Sequence, residues 1–434
     1  MSPHHPVSPH VFFLPSRLVL RLCALAALAA GELRAQPVAV AAPATLSQAF
    51  AAAWARQPEA QSLDLRREVA EARRQVAESW TAEPPVLELS AKTDQPMQNQ
   101  GGREYVAGLA LPLWLPGERA HSGALAEAES RATGSRAAAA QLRTAASVRV
   151  AWWNWQRARG EVGLAGERLA SAQRLAADVA QRVKVGDMAR ADQHQADGAA
   201  ASAEMALAEA EALLATARQQ LRALTGSLPE ASGTDTAEPL PVVPADFSAL
   251  DAAHPAVAEW LDRVEVARKV ADLAAVQTRA NPELTVLTTR DRAAFDAGYQ
   301  QSLTLGVRIP FGSASRQRAR LGLAHAEAVE SEGQLSLERE RLLADLEAAR
   351  VRVESTRLQL AAADRRAQLA RESRTFFDKS FRLGESDLPT RLRIELEAVE
   401  AERHSARLRI EHAAAISALR QALGLLPEQQ GVTP

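Results

Sequence analysis

Histidines and carboxylates are the usual raw material of catalysis and metal binding, and this 434-residue chain spaces them poorly for either. His404 and His412 share a helical stretch. They lie eight positions apart, roughly 12 Å along a helix axis, so one metal ion cannot reach both. His194, His254 and His325 are isolated. No Ser/His/Asp set, phosphate loop or metal cluster is readable. The assignment is therefore no catalytic, cofactor-binding or metal-binding residue, and no enzyme. Two short stretches around glycines stand out instead, "VKVGDMARAD" and "FRLGESDLPT". Gly186 permits a tight reversal between two helices and is flanked by Val183, Lys184, Val185, Asp187 and Met188. Gly384 does the same between Phe381, Arg382, Leu383 and Glu385, Ser386, Asp387. The plainer reading is that both glycines merely end helices. "AWWNWQ" places Trp152, Trp153 and Trp155 in one helical turn and a half, either to pack against neighbouring helices or to form a substrate-contacting belt.

The elements that carry these residues are written in the composition. Hydrophobic residues make up 47% but aromatics only 4%. With Ala, Glu, Arg, Leu and Gln filling long stretches, that usage points to long helices or coiled coil. A net charge of −2 gives no broad basic footprint, so no nucleic-acid partner is expected. Residues 1–35 read as a signal peptide: Arg17 and Arg21, the nine-residue apolar run "LCALAALAA", and Ala35 as a small cleavage residue. The single cysteine, Cys23, falls inside that run. Leu20, Arg21 and Leu22 before it are not the small residues that a lipidated cysteine wants. No apolar run of 18 or more follows residue 36, so any membrane span must be built from strands.

The chain is written twice. At an offset of 198, Pro112 falls on Pro310, Gly186 on Gly384 and Gly226 on Gly424. At 197, Pro58 meets Pro255 and Pro85 meets Pro282. The domains are then a first repeat (36–226), a Pro/Gly/Ser linker (227–248), a second repeat (249–426) and a tail (427–434). Each repeat has a first helix (46–80; 249–279), two short strands, a very long helix, a glycine break and a second helix. The strands alternate. Leu303, Leu305, Val307 and Ile309 share one face, and Ala107, Leu109, Leu111 and Leu113 another. Tyr105, Trp114, Phe295, Tyr299 and Phe311 fall at or near strand ends. In a membrane barrel those are interface positions and the leucines face lipid. A soluble antiparallel sheet with one wet face alternates in the same way. The long segments 117–185 and 312–383 lack proline. Leu342, Leu346, Ala349, Val353, Thr356, Leu360, Ala363, Ala367 and Ala370 step by four and three, as do Leu169, Ala172, Ala176, Val179 and Val183. That is a heptad seam with small knobs.

Four strands cannot close a membrane barrel, which begins at about eight, and open edges cannot sit in lipid. Membrane strands here therefore require several chains per barrel. Three chains give twelve strands. Taken together, "LSQAFAAAWARQPE", "LPLWLPGERAHSGALAEAE", "IPFGSASRQRARLGLAHAEAV" and the two glycine reversals resemble the TolC family of outer-membrane efflux channels, over nearly the whole chain after residue 36. The resemblance implies a mainly α fold with duplicated helical hairpins forming an α-barrel, and four transmembrane strands per chain in a trimer-shared, twelve-stranded barrel. It implies a homotrimer in the outer membrane of a Gram-negative bacterium, in contact with outer-membrane lipid and with its helical barrel in the periplasm. The function implied is a passive duct that works with a periplasmic adaptor and an inner-membrane pump of the RND type. "PLWLPGER" is similar to the branch that serves heavy-metal exporters of the cobalt-zinc-cadmium type.

The resemblance also implies residue roles. Val183, Lys184, Gly186, Asp187 and Met188, with Arg382, Leu383, Gly384, Glu385 and Ser386, become adaptor-contacting tips. Asp192, Phe381, Asp387, Thr390 and Arg393 become aperture candidates. Leu109, Leu111, Leu303, Leu305 and Val307 become lipid-facing. Arg119, after "LPG", becomes a residue at the lipid or lumen boundary. The chain departs from the family where an arginine and two aspartates follow the second glycine in well-studied members. Ser386, Thr390 and Arg393 stand there, so an acidic cation-binding ring is not implied. Contacts of Arg391, Arg393 or Asp192 remain for the gate. The alternative is a periplasmic coiled-coil adaptor or scaffold, which shares the signal peptide and the long hairpins.

Overall fold

The computed structural model describes residues 42–97, 99–229, 237–244, 253–312 and 314–427. The expected signal peptide, parts of the linker and nearly all of the tail lie outside the described residues. In chain order the elements are α1 (Leu46–Ala55), α2 (Pro58–Glu78), β1 (Val86–Thr93), β2 (Arg103–Pro112), α3 (Glu118–Val185), α4 (Arg190–Thr225), α5 (Pro255–Val276), β3 (Glu283–Arg292), β4 (Gln300–Arg308), α6 (Ala314–Arg382) and α7 (Leu388–Ala422).

The duplicated grammar is present, with one correction. The helix expected over 46–80 is two helices. Pro58 lacks an N–H and disfavours the helical region for the residue before it. Gln57 is accordingly extended (ψ 138°), and Pro58 opens α2 at its first turn. Pro255 does the same for α5, where the expected start at 249 falls outside the described residues. Each proline turn is closed by the glycine that ends the last helix of its own repeat. Gly226 (φ +84°) packs on Arg56, and Gly424 (φ +75°) lies so close to Pro255 that a Cβ would stand 2.7 Å from its ring. Only glycine combines that conformation with that approach.

The two longest helices, 68 and 69 residues, each reach about 100 Å. The shorter helices share out their lengths. The N-terminal half of α3 packs on α2 and α5, through Arg73–Glu129 (2.7 Å) and Arg143–Glu259 (2.7 Å). Its C-terminal half packs on α4 and α7, through Arg403–Glu161 (2.7 Å). Similarly α6 packs on α5 (Arg268–Glu332, 2.6 Å) and then on α7 (Arg371–Glu402, 3.6 Å). The heptad seam of α6 is the contact line. Leu346, Val353, Thr356, Ala363 and Ala367 are buried, and Leu342, Ala349, Leu360 and Ala370 are half-buried between exposed neighbours. Small side chains let the helices lie side by side in a layer, and large ones are reserved for the junctions.

The largest junction surrounds the tryptophans. Trp152, Trp153 and Trp155 are buried with Leu46, Ala49, Ala53, Leu221 and Ala413. Packing is therefore their role. Beside them the linker inserts Glu238. Arg149 of α3 grips its carboxylate with two bonds (2.8 and 3.1 Å), and Arg420 of α7 approaches at 3.2 Å. The Ser417 hydroxyl also donates to Glu238 and accepts from Trp153 Nε1 at 2.8 Å. Linker, α3 and α7 are joined there.

His254 is a buried N-cap whose Nδ1 accepts from the Ala256 N–H (3.2 Å), while Nε2 has no partner among the described residues. Burial holds its imidazole below the ordinary value of 6.5. The folded state thus keeps His254 neutral, while the unfolded chain takes up a proton as pH falls through that value. Stability is predicted to decline on acidification through the mid-6 range, down to the depressed folded value, and to be flat above it. Unfolding followed from about pH 5 to 8 should show this slope, and His254→Asn should reduce it.

Candidate functional site

Two regions remain after packing is accounted for: the sheet and the hairpin ends. The sheet is antiparallel in the order β1-β2-β3-β4, so the two repeats meet at β2–β3, and among the described residues the outer edges of β1 and β4 are unpaired. Register aligns the alternation of all four strands. Leu87, Leu109, Val286 and Leu305 form one row, Leu89, Ala107, Thr288 and Leu303 the next, and Leu111, Leu284 and Val307 a third. Rows of the opposite parity hold Glu88, Gly108, Leu287 and Thr304, then Ser90, Val106, Thr289 and Ser302, then Lys92, Glu104, Asp291 and Gln300. One face is apolar over three rows. The other is largely polar, with Leu287 laid over Gly108, where a Cβ would stand 2.1 Å from it.

The five expected lipid-facing residues share the apolar face. Leu303, Leu305 and Val307 are exposed at 76, 71 and 59%, Leu109 is less so and Leu111 is half-buried. Leu87 and Leu89 belong with them and are equally bare. The alternation in "VLELSAK" carried that signal. Tyr105 lies in the row of Gln301 through Arg290. Phe311 continues the alternation past β4 and is 86% exposed. Ten positions at about 3.4 Å, tilted by about 40°, separate these levels by roughly 26 Å, close to the apolar height of an outer-membrane barrel. Trp114 is half-buried, and its indole donates to the Ser79 carbonyl (3.1 Å).

The stretch "LPLWLPGER" turns out to be a bracket. Gly117 (φ +81°) makes the turn into α3. Glu118, 3% exposed, accepts from its own Leu115 N–H (2.9 Å), from Gln277 (2.8 Å) and from Asn281 (2.6 Å). One carboxylate thereby ties the strand-to-helix crossing of the first repeat to the helix-to-strand crossing of the second. Arg119 is exposed, and its guanidinium donates to the Glu78 carbonyl near the end of α2.

At the other end of the long helices, the two reversals are built alike. Asp187 N–H bonds to the Arg182 carbonyl (2.9 Å) and Glu385 N–H to the Ser380 carbonyl (2.9 Å), around Gly186 (φ +89°) and Gly384 (φ +78°). These are Schellman closures, which need the left-handed glycine. Lys184, Gly186, Asp187, Arg382, Leu383, Gly384 and Glu385 are exposed, with Leu383 at 65%. Val183, Met188 and Ser386 are half-buried. Val183 and Met188 pack with Leu175, Val179, Ala196, Phe381 and Leu388, so the two tips form one unit. Gly384→Val is predicted to destabilise this end by about 1–2 kcal/mol. Hydrogen exchange across 380–390 should rise while the sheet is unchanged.

Each aperture candidate has a partner within this chain. Phe381 is 4% exposed inside that cluster, its ring between Arg182 (5.0 Å) and Arg391 (4.8 Å). It serves packing between hairpins rather than an open surface. Asp387 caps α7, and hydrogen bonding from Thr390 holds its carboxyl below the ordinary range. Asp192 accepts from the Ala189 N–H (3.1 Å), and Arg393 pairs with Glu397 on its own helix (2.8 Å). Asp378 of α6 also links elements, lying between Arg382 of its own helix (2.7 Å) and Arg391 of α7 (2.6 Å). Nothing in the sequence distinguished it from the other carboxylates of α6. Among the described residues no helix is long and apolar enough to cross a membrane, and no group of three His, Cys, Asp or Glu could hold a metal.

Residues 50–227 match the model of the outer membrane efflux protein. Over that stretch the chain is similar to the outer membrane efflux protein family. Solved structures of similar fold include CusC (19% identity, TM-score 0.70, covering 88% of this chain and 92% of that one). The channel protein CmeC of Campylobacter jejuni is another (15% identity, TM-score 0.69, covering 98% and 94%), as is the outer membrane protein VceC of Vibrio cholerae (18% identity, TM-score 0.69, covering 87% and 96%). No curated protein matches the chain. The mainly α fold with paired hairpins and a four-stranded sheet is thus shared with these solved outer-membrane proteins.

Proposed function

We propose that the protein is the outer-membrane duct of a tripartite efflux system, in which three copies close a twelve-stranded barrel and continue it as a helical tube in the periplasm. The observation that carries this is the sheet: one face apolar over three rows, and both edges unpaired. Such a sheet in lipid must be completed by other copies, since the backbone groups of an open edge have no partner there. The exposed tips, Lys184 to Asp187 and Arg382 to Glu385, supply the surface for a periplasmic adaptor, which would join the duct to an inner-membrane pump of the RND type. The pump would select the cargo. Heavy-metal ions are the class to try first, on the likeness of "PLWLPGER". A scaffold role would leave the apolar face without purpose.

Edge pairing between copies tests the proposal. Leu87→Cys on β1, combined in turn with cysteines along β4 from Gln300 to Arg308, should give oxidised species at two and three chains and none larger. A ladder running beyond three, or no cross-link at any register, would count against a closed trimer.

A further inference from the structure

Arg290 and Arg292 lie two positions apart on β3 and therefore share the apolar face, just beyond its Leu89–Leu303 row. They stand at the end of the sheet that carries the strand-to-strand connections, opposite the end where the helices leave. Both guanidiniums lie over one ring, that of Tyr299, at 4.7 and 4.9 Å, and Arg292 also lies over Phe295 at 5.7 Å. Among the described residues no carboxylate is paired with either. Arg292 Nε donates to the Gly101 carbonyl (3.0 Å), and the neighbouring Arg103 is already paired with Asp94 (2.9 Å). The carboxylates at this level, Glu104 and Asp291, alternate to the opposite face. Two like charges drawn onto one ring repel each other. An anion with several oxygens placed across both would relieve that repulsion and accept charge-assisted bonds.

The surroundings indicate what would carry the anion. Tyr105, Phe295 and Tyr299 are exposed at 47, 61 and 40% beside the pair, and the leucine rows begin directly below. A basic and aromatic rim above an apolar band is the signature of a headgroup boundary. We propose that Arg290 and Arg292 clamp the phosphate of a phosphorylated lipid in the outer leaflet, with Tyr299 holding the two guanidiniums at one spacing. The proposal rests on the apolar face being in lipid.

The test uses detergent-solubilised protein and native mass spectrometry. The probes are an acylated glucosamine disaccharide bearing two phosphates and the same lipid without phosphates. The phosphorylated lipid should be retained about tenfold better. R290Q/R292Q should abolish the preference, and R357Q, on the distant α6, should keep it. Equal retention of both lipids, or an unchanged preference in R290Q/R292Q, overturns the clamp. Full displacement by millimolar inorganic phosphate would make soluble phosphate the ligand and overturn the lipid assignment. Leu303→Trp in vesicles of brominated lipid separates the underlying reading: quenching with no preference sinks the clamp alone, whereas no quenching sinks the lipid face and the clamp with it.

Discussion

Glu238→Ala is expected to cost about 3–5 kcal/mol, because it leaves two buried guanidiniums facing an emptied site. Arg149 and Arg420 are each only 4% exposed in their side chains and cannot turn to water without opening the junction. The loss has further consequences. Ser417 loses its acceptor, and the hydroxyl that receives the Trp153 indole is no longer fixed. The Arg149 contacts to Gln421 (2.6 Å) and to the Leu425 carbonyl (3.0 Å) tie the end of α7 to the same point. Denaturant unfolding followed by tryptophan fluorescence reads the change where it occurs, since the Trp153 indole bonds to Ser417 of the cluster. Removing the exposed Arg357 of the Glu354–Arg357 pair should leave the transition in place. A loss below about 1 kcal/mol for Glu238→Ala would mean that water reaches the cluster, and that the linker does not join the two repeats.

Leu305→Arg is the second large effect. It lies in the middle of the three apolar rows, and an arginine facing lipid at that depth costs about 2–4 kcal/mol per chain. A trimer would bear the cost three times. Thr304→Arg, one residue away, points to the polar face and should be tolerated. The quantity to measure is the amount of assembled protein in the outer membrane. Leu305→Arg should deplete it severely and Thr304→Arg hardly at all. Equal tolerance of both would remove the apolar face from lipid.

How much of this was legible in the sequence depends on the range of each interaction. The strand faces were legible because alternation is local and register merely aligns four copies of it. The α6 seam was legible for the same reason, since a step of four and three needs no knowledge of the partner. The break at Gln57 could have been read from Pro58, whose effect on the preceding residue is also local. The Glu238 cluster could not. Its partners lie 89 and 179 positions away, at Arg149 and Ser417, in a chain with 51 basic and 53 acidic residues that offers no means of choosing among them. Glu118 was hidden likewise. "LPGER" showed a turn, but the carboxylate acts on Gln277 and Asn281 in the other repeat. At the tips, the glycines and exposed residues were visible, while the burial of Phe381 depends on two hairpins meeting side by side.

The most direct measurement is membrane fractionation of the expressed protein followed by the native mass of the detergent-extracted species. An outer-membrane protein at about three times the mass of a single chain, which is 46.6 kDa before any processing, is expected, because a four-stranded sheet with two open edges is stable in lipid only when copies complete it. A soluble periplasmic monomer would contradict it.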